Sequence, residues 1–161
     1  MPLVAMLSFA AVVIALVTQH YFDMQPCSWC VLQRLIYLGI GLFALASWWR
    51  NSRIRSTGGL RSEPRMNPLA ALSSVLAIAG LAAALYQQFV AAQSGSCSMT
   101  LADKIIKGAG LDVFAPWLFK ATAFCHEANL EMLKLPYAIW SALLFLVLLF
   151  LSLRGAWRAS R

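Results

Sequence analysis

Hydrophobic positions in this chain gather into four long runs instead of alternating or recurring at helical intervals. The runs cover about residues 3–22, 28–49, 68–90 and 135–153. Charge, glycine, serine and proline collect between them. About 20 consecutive apolar residues suffice to cross the hydrocarbon core of a bilayer as an α-helix. The pattern therefore predicts an all-α fold, a four-helix transmembrane bundle formed by one membrane domain over residues 1–161.

The first run, Leu3 to Phe22, carries no charged residue. It lacks the basic start and small-residue cleavage site of a signal peptide, so it reads as a retained span. His20, Tyr21 and Asp23 mark its exit, and the short connection over 23–27 makes a tight hairpin with the second run. Pro26 suits a helix start, where its missing N–H costs nothing. Gly39 and Gly41 suit close helix contact and Trp48-Trp49 a headgroup belt. A polar loop is expected over 50–67, and the third run closes on Tyr86-Gln87-Gln88. The connection over 91–134 is long. Within it, Leu101 to Ala109 reads as a short amphipathic helix with Leu101, Ile105 and Ile106 on one side, able to lie on the membrane surface. Val113-Phe114 and Trp117-Leu118-Phe119 are further anchors of the same kind.

Composition agrees with the pattern. Of 161 residues 61% are hydrophobic and 12% charged, against about half and a quarter in soluble domains. The net charge of +7 raises the question of nucleic acid, but the arginines sit beside apolar runs. Arg50, Arg53, Arg55, Arg61 and Arg65 follow the second run, and Arg154, Arg158 and Arg161 follow the fourth. That placement reads as topology and contact with anionic lipid of the bilayer, not as nucleic-acid binding. By the positive-inside rule both tracts are cytoplasmic, and so are both termini. The connections over 23–27 and 91–134 then share the opposite face, so Cys27, Cys97 and Cys125, with Cys30 at the mouth of the second run, fall in one compartment.

The chemistry centres on Pro26-Cys27-Ser28-Trp29-Cys30-Val31-Leu32-Gln33-Arg34. Cys27 and Cys30 stand at i and i+3, close enough for a disulfide given suitable local geometry. Arg34 is at i+4 from Cys30, so its cation can approach that sulfur. A helix N-terminus and a nearby cation favour the thiolate that exchange chemistry uses. Arg34 lies about one turn inside the span. It either snorkels to the near interface or is held as a cation for an anionic partner, and the adjacent cysteines favour the second.

Three chemistries compete for Cys27, Cys30, Cys97 and Cys125. A four-thiolate zinc site normally uses two close pairs, and Cys97 and Cys125 are far apart in sequence. Purely structural disulfides suit a Cys97–Cys125 bridge, which would contribute about 3–4 kcal/mol in the chain-entropy model. They leave Cys27–Cys30 unexplained, because so short a loop gains least. A relay accounts for both pairs: a loop disulfide accepts electrons from a soluble dithiol, and a pair at the bilayer edge passes them to a lipid-soluble acceptor.

Gln19-His20 leading to Pro26-Cys27-x-x-Cys30, then Gln33-Arg34 and Gly39, resembles the disulfide bond formation protein B (DsbB) family. The later cysteine pair and the start of the last helix, Leu135-Pro136-Tyr137-x-x-Trp140, are similar as well. The resemblance covers essentially the whole chain and implies a protein-dithiol:quinone oxidoreductase of the bacterial inner membrane, with its cysteine loops periplasmic. It further implies redox disulfides Cys97–Cys125 and Cys27–Cys30. The first would be attacked by a thioredoxin-fold partner of the DsbA type, with Cys97 forming the mixed disulfide. Cys125 would then open the second at Cys27, and Cys30 would meet the quinone. Arg34 and Gln33 would bind the quinone, ubiquinone or menaquinone, with Gln87 and Gln88 as weaker neighbours and no metal involved. Ser28-Trp29 between the cysteines departs from the small or aliphatic pairs expected there. One alternative is a non-catalytic membrane adaptor with a structural loop disulfide. Another, a vitamin-K-epoxide-reductase-like enzyme, fits less well, because there the loop pair precedes the CxxC.

Overall fold

A computed structural model describes residues 1–21, 26–56, 67–91, 101–119, 121, 131–132 and 135–158. Helix α1 spans Pro2–Tyr21 and α2 spans Ser28–Ser56. Helix α3 covers Pro68–Tyr86 and runs on as a π-helical turn over Gln87–Ala91. Three short helices follow, α4 (Leu101–Gly108), α5 (Leu111–Phe114) and α6 (Pro116–Phe119). An antiparallel pair of two-residue strands, β1 (Glu131–Met132) and β2 (Leu135–Pro136), leads into α7 (Tyr137–Arg158).

Among the described residues four helices are long and apolar enough to cross a membrane: Pro2–Tyr21, Ser28–Arg53, Pro68–Ala91 and Ala138–Trp157. The expected four-helix membrane bundle is what the chain forms. Each crossing carries exposed apolar side chains, among them Val13, Leu42, Ile78 and Val147, as a lipid-facing surface requires. Helix α2 continues to Ser56, beyond position 49 where the apolar run stops. Its extension is polar, and the Arg53 guanidinium lies 5.3 Å from the centre of the Trp49 ring one turn earlier.

Helix α3 is the hub, packed against both α2 and α7, while α1 packs on α2. Its buried positions are Ala70, Ser73, Ser74, Ala77, Gly80, Ala83 and Ala84. That spacing puts small residues on one stripe, which lets neighbouring backbones approach closely. Tyr37, Phe145, Ile40 and Leu148 fill the centre, with the Tyr37 and Phe145 rings stacked at 4.2 Å and 2°. Asn67 clasps the far ends of α2 and α3. Its Oδ1 accepts from the Leu69 N–H at 3.2 Å and from Arg50 at 2.6 Å, and its Nδ2 donates to Ser47 at 2.6 Å.

Gly80 marks a tight approach of α3 to the Phe145 ring of α7. A Cβ there would stand 2.2 Å from the Phe145 ring. Overpacking of this kind costs about 1–3 kcal/mol, so Gly80→Ala is expected to lower the melting temperature in detergent. Gly108→Ala, at a position with nothing within 4 Å of the added carbon, is the control and should leave it unchanged. Equal melting of the two variants would show that α3 does not depend on this contact.

Candidate functional site

The site forms where α2 begins. The Val31 N–H donates to the Cys27 carbonyl at 3.0 Å, and the Cys30 N–H donates to Cys27 Sγ at 3.4 Å. Cys27 thus acts as the N-cap of α2, its sulfur taking the place a serine or aspartate oxygen usually fills. The same turn brings the Cys27 and Cys30 sulfurs to 3.0 Å of each other as two thiols. Cys27 is 0% exposed. Ala102 and Ile106 of α4, together with Ala115 and Phe119, pack over this end with Trp29 and Val31. The predicted amphipathic helix therefore turns Ala102 and Ile106 onto the bundle and leaves Leu101 and Ile105 exposed.

Arg34 does not snorkel. It is only 6% exposed and reaches sideways to α1. Nη1 donates to Gln19 Oε1 at 2.6 Å and to the Leu118 carbonyl at 3.3 Å, and Nη2 donates to the Ala15 carbonyl at 3.3 Å. These acceptors are neutral oxygens, which orient a cation without neutralising it. The turn around Gly110, whose φ of 64° suits glycine, leads through α5 and α6 to Leu118.

On its other side Cys30 meets amides. Gln87 Nε2 donates to Cys30 Sγ at 3.1 Å, and Gln87 Oε1 accepts from Gln33 Nε2 at 2.7 Å. Gln33 Oε1 accepts from the Ser141 hydroxyl at 2.6 Å, and the Tyr37 hydroxyl lies 2.9 Å from Ser141 Oγ and 3.1 Å from the Ser141 carbonyl. Gln87 begins the π turn after α3. Such a turn re-aims side chains and is frequent at functional sites.

Cys30, Gln33, Arg34 and Tyr37 also line a cavity of about 330 Å³, with Ala11, Ile14 and Ala15 of α1 and Trp140, Ser141 and Leu144 of α7. Cys30, Arg34 and Tyr37 follow at i, i+4 and i+7 on one face of α2, so they border about 10 Å of its wall. Helices α1 and α7 touch only slightly, and the cavity lies between them with α2 as its floor. Ile14 and Trp140 are both exposed on the lipid-facing side. Its walls are mostly apolar, with Arg34 and the Cys30 sulfur among them.

Of the residues singled out from sequence, Cys27, Cys30, Gln33 and Arg34 come together, and Gln87 joins them by its bond to the Cys30 sulfur. Gln87 and Gln88 are not among the cavity-lining residues, and the Gln88 side-chain oxygen is buried without a partner among the described residues. Cys97 and Cys125 lie outside the described residues. Sequence reasoning passed over Tyr37, although its spacing from Cys30 and Arg34 was a usable signal. It also passed over Ser141, one of two serines in an apolar helix, which carries no such signal.

The family model described as "Disulfide bond formation protein DsbB" matches residues 1–154. The Disulfide bond formation protein B of Cupriavidus metallidurans is 30% identical over 149 residues, 91% of this chain and 84% of that protein. Its counterpart in Cupriavidus necator is 30% identical over 153 residues, 94% of this chain and 86% of that protein. The Disulfide bond formation protein B 1 of Pseudomonas syringae pv. syringae is 31% identical over 134 residues, 83% of this chain and 73% of that protein. No solved structure matches the chain.

Proposed function

The chain belongs to the DsbB family of disulfide bond formation proteins, and from that premise we propose that it oxidises a reduced DsbA-type thioredoxin-fold protein and delivers the electrons to a membrane quinone. The observation that carries this reading is one cavity bordered by the Cys30 thiol, the Arg34 cation and otherwise mostly apolar walls.

The exchange runs through two cysteine pairs. A thiolate of the partner attacks a Cys97–Cys125 disulfide at Cys97, a new S–S bond forms, and Cys125 leaves with the electron pair. The partner's second thiol then resolves that mixed disulfide, releasing the partner oxidised. Cys125 attacks Cys27 of a Cys27–Cys30 disulfide, and Cys30 leaves as a thiolate. Because Cys27 is wholly covered, the helices packed over it must shift before a nucleophile reaches its sulfur. Cys97 then attacks the Cys125 sulfur of the Cys125–Cys27 bridge and Cys27 leaves with the electron pair, which restores the loop disulfide and leaves Cys27 and Cys30 as a dithiol.

A quinone fits the chamber on size and chemistry. Small-molecule pockets are mostly apolar, span about 300–1,000 Å³ and carry a few placed polar groups, and this one has Arg34, Gln33, Tyr37 and Ser141. When bound, a quinone supplies a two-electron, two-proton acceptor that lets Cys27 and Cys30 return to the disulfide. Arg34 orients it by charge and Gln33 by its amide, while Ala11, Ile14, Trp140 and Leu144 keep water away. The arginine tracts support a bacterial inner-membrane orientation with both termini cytoplasmic and the cysteine loops periplasmic.

The test is quinone reduction by the purified full-length chain in detergent, given a reduced DsbA-type dithiol and either ubiquinone or menaquinone. Steady turnover is expected, followed as loss of quinone absorbance. If neither quinone is reduced with several such partners while Cys27–Cys30 is oxidised, the chain acts as a membrane adaptor instead.

A further inference from the structure

The amide and hydroxyl groups behind Cys30 form one directed chain. The bond from Gln87 Nε2 to Cys30 Sγ and the bond from Gln33 Nε2 to Gln87 Oε1 fix both amides in one sense. Ser141 Oγ then donates to Gln33 Oε1. Tyr37 donates to the Ser141 carbonyl oxygen at 3.1 Å and lies 2.9 Å from Ser141 Oγ. From Ser141 onward every donor points toward the sulfur. The links come from three helices, α2, α7 and the π turn after α3, so the arrangement is built by the tertiary fold. Gln33, Gln87, Ser141 and Tyr37 are all buried. Buried polar groups of this kind are costly unless fully satisfied, and aligned bonds polarise one another in a low-dielectric interior.

We infer that this Tyr37–Ser141–Gln33–Gln87 chain sets the reactivity of Cys30, stabilising negative charge on its sulfur from the side away from Arg34. Gln87 touches the reacting atom, and Gln33, Ser141 and Tyr37 are positioning residues that act through it. The inference deepens the proposed function and rests on it for its purpose. When the Cys27–Cys30 bond breaks, its electron pair stays on Cys30, and no proton is needed if a donor already faces that sulfur. A leaving sulfur whose charge is better stabilised departs faster. Ser141 and Tyr37 also line the cavity, so the chain joins the chamber wall to the thiol.

The test needs no quinone and no partner. The reduced full-length protein, stripped of quinone in detergent, is exposed to a small alkylating reagent at one fixed acidic pH, where the thiol is mostly protonated, and modification at Cys30 is followed by peptide mass. A hydrogen bond to a charged group contributes about 1.5–3 kcal/mol, and about half of it is offset by the greater nucleophilicity of a less stabilised thiolate, so Gln87→Met should slow Cys30 alkylation about five- to tenfold. Ser141→Ala, which cuts the chain two links away, should slow it about threefold. Ser141→Thr keeps the hydroxyl and should restore the native rate. Tyr37→Phe keeps the ring stacked on Phe145 and removes only the terminal donor, so it tests the chain with little risk to the fold, and a small slowing is expected. A second readout is the reduction potential of Cys27–Cys30 against glutathione, which should fall in Gln87→Met as the dithiol form loses its stabilised thiolate. If Gln87→Met and Ser141→Ala both stay within twofold of native while their melting temperatures drop, the chain is only a strut between helices and the inference is overturned. Quinone turnover by the native chain reads the proposed function separately, so the two ideas fail independently.

Discussion

Cys30→Ser is expected to stop steady quinone reduction altogether while sparing a single round of partner oxidation. With a hydroxyl at position 30 no Cys27–Cys30 bond can form, so Cys125 finds no S–S bond to open at Cys27. On the proposed relay a Cys97–Cys125 disulfide is untouched by the substitution and can still be spent once. Mixed with an excess of reduced DsbA-type protein, the variant should oxidise about one equivalent and then halt, with the quinone absorbance flat. Serine is close to cysteine in size, and the N-cap contact at Cys27 involves the backbone N–H of residue 30, so helix α2 keeps its start. Continued turnover past one equivalent would mean that electrons leave the loop pair by another route. Loss of even the first equivalent would place the fault in the loop and not in the CxxC.

The architecture was legible because bilayer chemistry leaves few choices. Four apolar runs can only become helices where no water pairs the backbone, and the described crossings follow those runs. Helix ends were harder to place. Past Trp49 the sequence turns polar, which reads as a loop, yet polar residues are equally at home in a helix that has left the membrane, and α2 continues to Ser56. The small buried stripe of α3 was visible only as an alanine-rich composition, since nothing local says which neighbour it meets.

The candidate site divides in the same way. Cys27, Cys30, Gln33 and Arg34 lie within two helical turns, so periodicity alone brings them together. Gln87 was a weak candidate from sequence because its proximity to Cys30 depends on how α3 packs and on the π turn that begins there. Ser141 reaches Gln33 across a sequence separation of 108 positions, and no local pattern encodes that meeting. Arg34 shows a further limit. Sequence offered a choice between snorkelling and a cation held for an anionic partner, and burial against α1 speaks against the first. The pairing of Cys97 with Cys125 rests on the family reading alone.

Arg34→Ala should be the most damaging change that leaves every cysteine in place. The guanidinium spans two elements: Gln19 and the Ala15 carbonyl belong to α1, whereas the Leu118 carbonyl belongs to α6. Removing it deletes a buried cation at the cavity wall and leaves the Gln19 oxygen and the Leu118 carbonyl without this donor. Bonds from a charged donor contribute about 1.5–3 kcal/mol each, so kcat/KM for quinone should fall about 10–100-fold, with weaker equilibrium binding of quinone measured apart from turnover. Arg34→Lys restores the charge but not the fork. One ammonium cannot reproduce two nitrogens aimed at oxygens on separate elements, and only part of the binding should return. A purely structural strut predicts something different: lower melting temperatures in both variants, with quinone affinity unchanged once the protein is folded. The alanine variant binding quinone within twofold of native would assign Arg34 to holding α1 and α6 together and shift the quinone contact to the amide and hydroxyl wall.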